Sequence, residues 1–250
     1  MGPPGIQGEP GRDGAVGAQG PRGEPGAIVT SDGGTLTLQG SPYGGGVDVA
    51  NVVGGIAKDA DAVVIVQCTS DGESFSFGTG TKTASGTVLT AHHVVEDAPD
   101  CDVFSEAPVR HLGSVVEAVQ HGERDQMELI MEWNDHGAAI EGLEPFFETL
   151  PVLGDFLVII GHPGVGSNLA LEHQYTTGYV TSASASETLN NLARGAYWSQ
   201  GYITDAVAWH GNSGGPVFNE YGEWIGLLVG SLNGGSSNTG PDLTIAIPLL

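Results

Sequence analysis

Gly211-Asn212-Ser213-Gly214-Gly215-Pro216 is the stretch on which the reading of this chain turns. It sets one serine among glycines and runs into the apolar Val217-Phe218. Glycine has no Cβ, so the backbone can turn sharply there and approach a ligand closely. Two backbone N–H groups beside such a serine can converge on one point and hold a developing oxyanion. A hydroxyl is a poor nucleophile at neutral pH, so Ser213 needs a base, and the base needs an orienting acid. The base is sought at Thr90-Ala91-His92-His93-Val94-Val95, about 120 residues earlier, where a strand ends and a side chain can look into a cleft.

Working outward from these two stretches, short apolar or alternating runs recur at roughly ten-residue spacing. They are Ala62–Val66, Ser74–Phe77, Thr87–Thr90, Asp102–Phe104, Ser114–Val116, Leu129–Met131, Phe156–Ile160, Gly178–Thr181, Gly201–Thr204, Pro216–Phe218, Trp224–Val229 and Leu243–Ile247. Gly, Ser, Asn and Asp punctuate them. Many short strands so spaced predict an all-β sandwich or barrel. The roughly 190 residues involved suffice for a real core and for two six-stranded barrels. Val94-Val95, with acidic residues after it, reads as one helical turn.

The order Thr-Ala-His-His-Val-Val, then Gly-Asn-Ser-Gly-Gly-Pro, resembles the chymotrypsin-like serine proteases. It is most similar to the bacterial Deg-type (high-temperature-requirement) branch. Gly78-Thr79-Gly80, Val158–Gly164, Thr177–Ala183, Ile203-Thr204-Asp205-Ala206, Gly222–Gly226 and Ile245–Pro248 resemble further family segments in the same order. The resemblance covers about residues 59–250. It implies two antiparallel six-stranded β-barrels with a cleft between them, and no PDZ module follows before Leu250.

By resemblance, Ser213 is the nucleophile, His93 the base, and the N–H groups of Gly211 and Ser213 the oxyanion hole. The family places Asp-Leu-Ala-x-Leu between the His and the Ser, where this chain has Arg124-Asp125-Gln126-Met127-Glu128-Leu129-Ile130-Met131. An apolar run is expected directly after the acid. Glu128 is therefore taken as the acid, with Asp125 as the alternative. Val207, six residues before the serine, falls at the base of the specificity pocket, and Val229, Gly230 and Ser231 at the edge that pairs with substrate. An uncharged Val207 implies cleavage after small or aliphatic residues of a protein or peptide. Lys58 and Arg194 are too few and too remote to change that. His210 and Trp209 precede the loop: His210 is counted with the substrate-binding residues, and Trp209 is read as packing against the domain. Val52-Val53-Gly54-Gly55 is similar to the activation site of pancreatic-type zymogens. Their partner Asp is replaced by Asn212, so no cleavage-activated switch is expected.

Residues 2–25 carry glycine at every third place through eight triplets, and Gly26 opens a ninth. Three polyproline-II-like chains wind together only when the residue on their axis lacks a side chain. The segment 1–26 thus resembles collagen and implies a homotrimer. Residues 27–57 read as a Gly/Ser/Thr-rich linker with one short alternating run, Thr35–Leu38, and no helix. Residues 58–250 form the catalytic domain. A stalked knob of this kind suits a virus particle or an extracellular surface. The competing reading is a non-catalytic protease-fold knob that serves as a structural or receptor-binding part of a fibre or virus particle.

Seven Lys+Arg stand against 30 Asp+Glu, a formal charge of −23. That argues against nucleic acid and anionic membranes as partners. The sequence has no apolar run long enough to insert in a membrane, and Met1 leads into Gly-Pro-Pro with no signal-peptide pattern. The two cysteines, Cys68 and Cys101, are either one bridge or two small buried residues. His111, His121, His136 and His173 have no spacing that argues for a metal, and no cofactor is expected.

Overall fold

Val63-Val64-Ile65-Val66 opens the domain with four consecutive β-branched residues, which suit an extended backbone far better than a helix. In the computed structural model they begin β1 (Val63–Thr69), and the four are buried. The model describes residues 47–69, 75–96, 100–106, 109–147, 150–164, 173–183, 201–231 and 243–249. The collagen-like triplets, the Thr35–Leu38 run and Arg194 lie outside the described residues.

The first barrel adds β2 (Phe75–Lys82), β3 (Val88–Thr90), β4 (Asp100–Ser105), β5 (Arg110–Gln120) and β6 (Met127–Trp133). The short helix α2 (His92–Val95) follows β3, and α3 (Asp135–Ala139) follows β6. The second barrel comprises β7 (Phe156–Gly161), β8 (Gln174–Ser182), β9 (Tyr202–Thr204), β10 (Pro216–Asn219), β11 (Trp224–Ser231) and β12 (Thr244–Pro248). Strand order is β1-β2-β3-β6-β5-β4 in one and β10-β11-β12-β9-β8-β7 in the other, both closed and antiparallel throughout. Closure removes the open edges on which other chains could add strands. All twelve apolar runs expected from the sequence fall on these twelve strands.

Alternation divides the second barrel's side chains between two clusters. Phe156, Val158 and Ile160 of β7 join a core shared with the first barrel, whereas Leu157 and Ile159 face a separate cluster with Val180, Tyr202, Val217 and Leu228. Successive residues of a strand point to opposite faces, so β7 is buried on both sides. That accounts for an apolar run with no polar interruption.

Two outcomes differ from or decide among the sequence expectations. Residues 27–57 were expected to hold no helix, yet Val49–Ile56 forms α1, with the Asp48 side chain accepting the Asn51 N–H at its start. Val49, Val53 and Ile56 bury one face on the shared core, so packing rather than propensity holds the helix. The zymogen-like Val52-Val53-Gly54-Gly55 lies within it. Cys68 and Cys101, which face each other across β1 and β4, are joined in a disulfide.

Candidate active site

His93 is carried on α2 immediately after β3, and Asp125 on the loop that leads into β6. Because β3 and β6 are neighbours, the two arrive on the same side of the first barrel. The carboxylate of Asp125 is fully buried and engages His93 twice. Oδ1 accepts the His93 backbone N–H at 2.9 Å, and Oδ2 lies 2.8 Å from the ring Nδ1. A carboxylate can only accept, so Nδ1 carries the proton and Nε2 presents its lone pair. The ring remains about one-fifth exposed.

This corrects the assignment of Glu128. Its carboxylate lies 2.9 Å from Nε2 of His121, on a partly exposed face. The reason is strand parity: Met127 and Leu129 are buried in the core, so Glu128 between them turns to the opposite side of β6. Asp125 precedes the strand by two residues, where the chain is free of that alternation. The spacing Asp125-Gln126-Met127-Glu128-Leu129 carried the signal, with Leu129 four residues after the acid.

The serine loop belongs to the second barrel but is held by the first. Thr79 of β2 is the hub, and the sequence reading gave it no role. Its N–H donates to the Ser213 carbonyl at 2.8 Å, its hydroxyl to the Gly211 carbonyl at 2.7 Å, and its hydroxyl oxygen accepts the His162 N–H at 2.9 Å. Its own carbonyl accepts the Thr90 hydroxyl at 2.7 Å. Gly211 and Gly214 take φ of +95° and +85°. At Gly214 a Cβ would lie 2.1 Å from the Thr79 carbonyl oxygen and 2.8 Å from the Ala91 nitrogen, so only glycine lets the loop close on the strand that leads to His93.

Within the loop, the N–H of Asn212 donates to Trp209, that of Gly214 to Leu228 and that of Gly215 to Asn212. The N–H groups of Gly211 and Ser213 take no such partner among the described residues. Ser213 is half-buried, while Asn212 beside it is buried.

The residues expected to touch substrate sit as follows. Val207 is 40 % exposed, and His210 is exposed, its carbonyl accepting the Gly164 N–H at 2.7 Å. Val229 buries its side chain in the shared core and stands at a bulge of β11 without a ladder partner on β12, so its main chain is what it can offer a peptide. Gly230 is half-buried and Ser231 exposed. Trp209 does not pack into the domain as expected; it is 59 % exposed. Arg124, next to the acid, is buried and donates to the Pro248 carbonyl at 3.1 Å, tying the Asp125 loop to β12.

The trypsin-like peptidase domain model matches residues 78–227, which includes His93, Asp125 and Ser213. The chain belongs to the trypsin-like peptidase family. Among curated proteins, this peptidase is 30 % identical over 161 residues to the chloroplastic Protease Do-like 2 of Arabidopsis thaliana. That match takes in 64 % of this chain and 24 % of the relative, so the chain spans about a quarter of the relative's length. Among solved structures, a serine endoprotease from Yersinia pestis superposes with a TM-score of 0.57 at 23 % identity, over 79 % of this chain and 62 % of that one. An HtrA-type protease with a bound tripeptide gives 0.59 at 24 % identity, over 79 % and 59 %. At these identities the two structures speak for the fold. The family is that of the trypsin-like peptidases, and the two structures share its fold.

Proposed function

We propose that the chain is a serine endopeptidase in which Ser213 attacks the peptide carbonyl, His93 is the general base and acid, and Asp125 orients the imidazole. The observation that carries this reading is the double engagement of His93 by the buried Asp125, with Nε2 left as the basic nitrogen. His93 takes the Ser213 proton as the C–O bond forms and returns it to the leaving amine as the C–N bond breaks. Water then repeats the sequence on the acyl-enzyme. The N–H groups of Gly211 and Ser213 hold the oxyanion; their lack of partners among the described residues supports this role.

Val207 carries no charge, so the peptidase cuts after small or aliphatic residues. Val229, Gly230 and Ser231 pair with the substrate backbone, and His210 flanks the cleft. The Gly-X-Y segment at 1–26 assembles three chains and presents the catalytic domain on a virus particle or an extracellular surface. The Cys68–Cys101 bridge fits such an oxidising setting.

A fluorophosphonate probe tests the chemistry. The folded chain labels at Ser213 and cleaves a casein substrate, and Ser213→Ala does neither. If the folded chain fails to label, and neither it nor Ser213→Ala cleaves casein, the domain is a non-catalytic knob. Light scattering of the full chain tests the trimer; a monomer at high concentration refutes it.

A further inference from the structure

Away from the nucleophile, three side chains from separate parts of the sequence converge where the two barrels meet. Glu106 follows β4, His162 follows β7, and His173 precedes β8. One ligand atom from each lies within 4.8 Å of the others. Nδ1 of His173 is 2.6 Å from one oxygen of Glu106, and Nδ1 of His162 is 3.9 Å from the other. The rings lie against each other with centroids 4.4 Å apart. His162 is fully buried and His173 nearly so.

The outer nitrogens decide what this cluster can do. Nε2 of His162 and Nε2 of His173 both approach the Val63 carbonyl, at 3.3 and 3.0 Å. A carbonyl only accepts, so each Nε2 carries its proton. In the neutral tautomer this makes Nδ1 the nitrogen of each ring that can ligate a metal. A carboxylate 2.6 Å from the His173 Nδ1 is held either by a proton on that nitrogen or by a cation between the two. Histidine metal ligands characteristically donate their other ring N–H to a backbone carbonyl or carboxylate, which fixes the tautomer and makes the ligating nitrogen more basic. Here one carbonyl serves two rings.

We propose that Glu106, His162 and His173 bind a divalent transition metal, zinc being the best fit, through Glu106 Oε, His162 Nδ1 and His173 Nδ1. Two imidazoles and one carboxylate are a common zinc set, with metal–ligand bonds of about 2.0–2.2 Å. A cavity of about 300 Å³ adjoins the cluster and is lined by Asp61, Ser105, His136 and His173 among others, leaving room for water in the fourth position. The ion joins the barrels: Glu106 and the Val63 carbonyl come from the first, both histidines from the second. It also sits behind the nucleophile loop, because the His162 backbone N–H is bonded to Thr79, and a Cβ on Gly211 would lie 2.4 Å from the His162 carbonyl oxygen.

The test uses the full chain, stripped with chelator, loaded with zinc alone and desalted. Retained metal is measured by mass spectrometry and its ligands by X-ray absorption. The expected result is one zinc per chain with two imidazole nitrogens and a carboxylate oxygen, and a melting temperature that rises with zinc concentration. Glu106→Gln and His173→Gln should weaken zinc binding by at least the ~10–100-fold that loss of even an outer partner costs. The double variant His111→Gln/His121→Gln should bind as the parent does. The absorption spectrum of the unaltered chain keeps the test decisive if a variant fails to fold. Absence of retained zinc, a spectrum without two imidazoles, or loss of binding in the His111/His121 variant alone overturns the proposal. In the first case Glu106 and His173 form a proton-bridged ion pair instead.

Discussion

Asp125→Asn is the substitution on which the catalytic reading stands or falls. The change keeps size and shape but replaces one acceptor oxygen with an NH2 group. Asp125 accepts at both oxygens, from the His93 backbone N–H at 2.9 Å and from the ring Nδ1–H at 2.8 Å. An asparagine can satisfy only one of these as they stand. If its oxygen keeps the backbone N–H, its NH2 faces Nδ1 and drives the ring proton to Nε2. His93 then presents a donor where it needs a lone pair. If the oxygen faces the ring instead, the NH2 is turned on a backbone donor inside a buried site. Where an orienting aspartate has been so replaced in a Ser-His-Asp triad, turnover falls by about 10⁴-fold. That is about 5.4 kcal/mol of transition-state stabilisation. Asp125→Asn should lose activity on that scale while its melting curve stays close to the parent's. Glu128→Gln, which alters only the pairing with His121, should leave turnover within about twofold. The assay is initial-rate hydrolysis of a labelled casein, with circular dichroism to confirm folding. A folded Asp125→Asn that keeps more than about a tenth of the parent rate refutes the reasoning. So does a Glu128→Gln that falls as far as Asp125→Asn.

Other consequences follow from the same geometry. Thr79→Val keeps the shape but removes a hydroxyl that donates to Gly211 and accepts from His162. Each buried group left unpaired costs about 1–3 kcal/mol, so both denaturant stability and kcat/KM should drop; an unchanged kcat/KM would deny the hub its role. Removing the disulfide as Cys68→Ala/Cys101→Ala opens a 33-residue separation and should destabilise the fold by about 3–4 kcal/mol in chemical denaturation. A loss below about 1 kcal/mol would mean that the β1–β4 pairing already confines the unfolded chain. Burial holds Lys82 below its ordinary pKa of 10.5. Between the folded value and 10.5 the unfolded chain binds more protons at this site, so the folded state gains as pH rises through that window. Melts of the parent and of Lys82→Met across alkaline pH should show the difference shifting in favour of the parent; a constant or opposite difference would contradict the sign.

The strands were legible because each announces itself locally. A run such as Phe156–Ile160 needs nothing beyond its own residues to be apolar on both faces, and Gly154-Asp155 before it and Gly161-His162-Pro163 after it mark its limits. The helix α1 was not, although Val49, Val53 and Ile56 stand at helical spacing. Gly54 and Gly55 within it, and the glycine-rich chain before it, mask a helix that packing on the shared core sustains. Ser213 and His93 draw attention in the sequence because their surroundings are turn chemistry, which is short-range. The acid was misread through reliance on an apolar run; alternation within β6 would have sent Glu128 to the far face. Glu106, His162 and His173 come together only once both barrels are closed, so no spacing along the chain could disclose them. Trp209, read from the sequence as packing against the domain, is 59 % exposed.

The ties from Thr79 to the serine loop, and from Arg124 to Pro248, bear on when the molecule can cut. A ribosome delivers His93 and Asp125 long before Ser213, and Ser213 before the twelfth strand. Until that strand docks, the Arg124 next to the acid has no Pro248 carbonyl to hold, and the serine loop has no finished barrel beneath it. Hydrolytic capacity is therefore a conjunction of two folding events, not a property of either half. A chain cut short before β12 lacks the Arg124–Pro248 tie that holds the Asp125 loop to the second barrel.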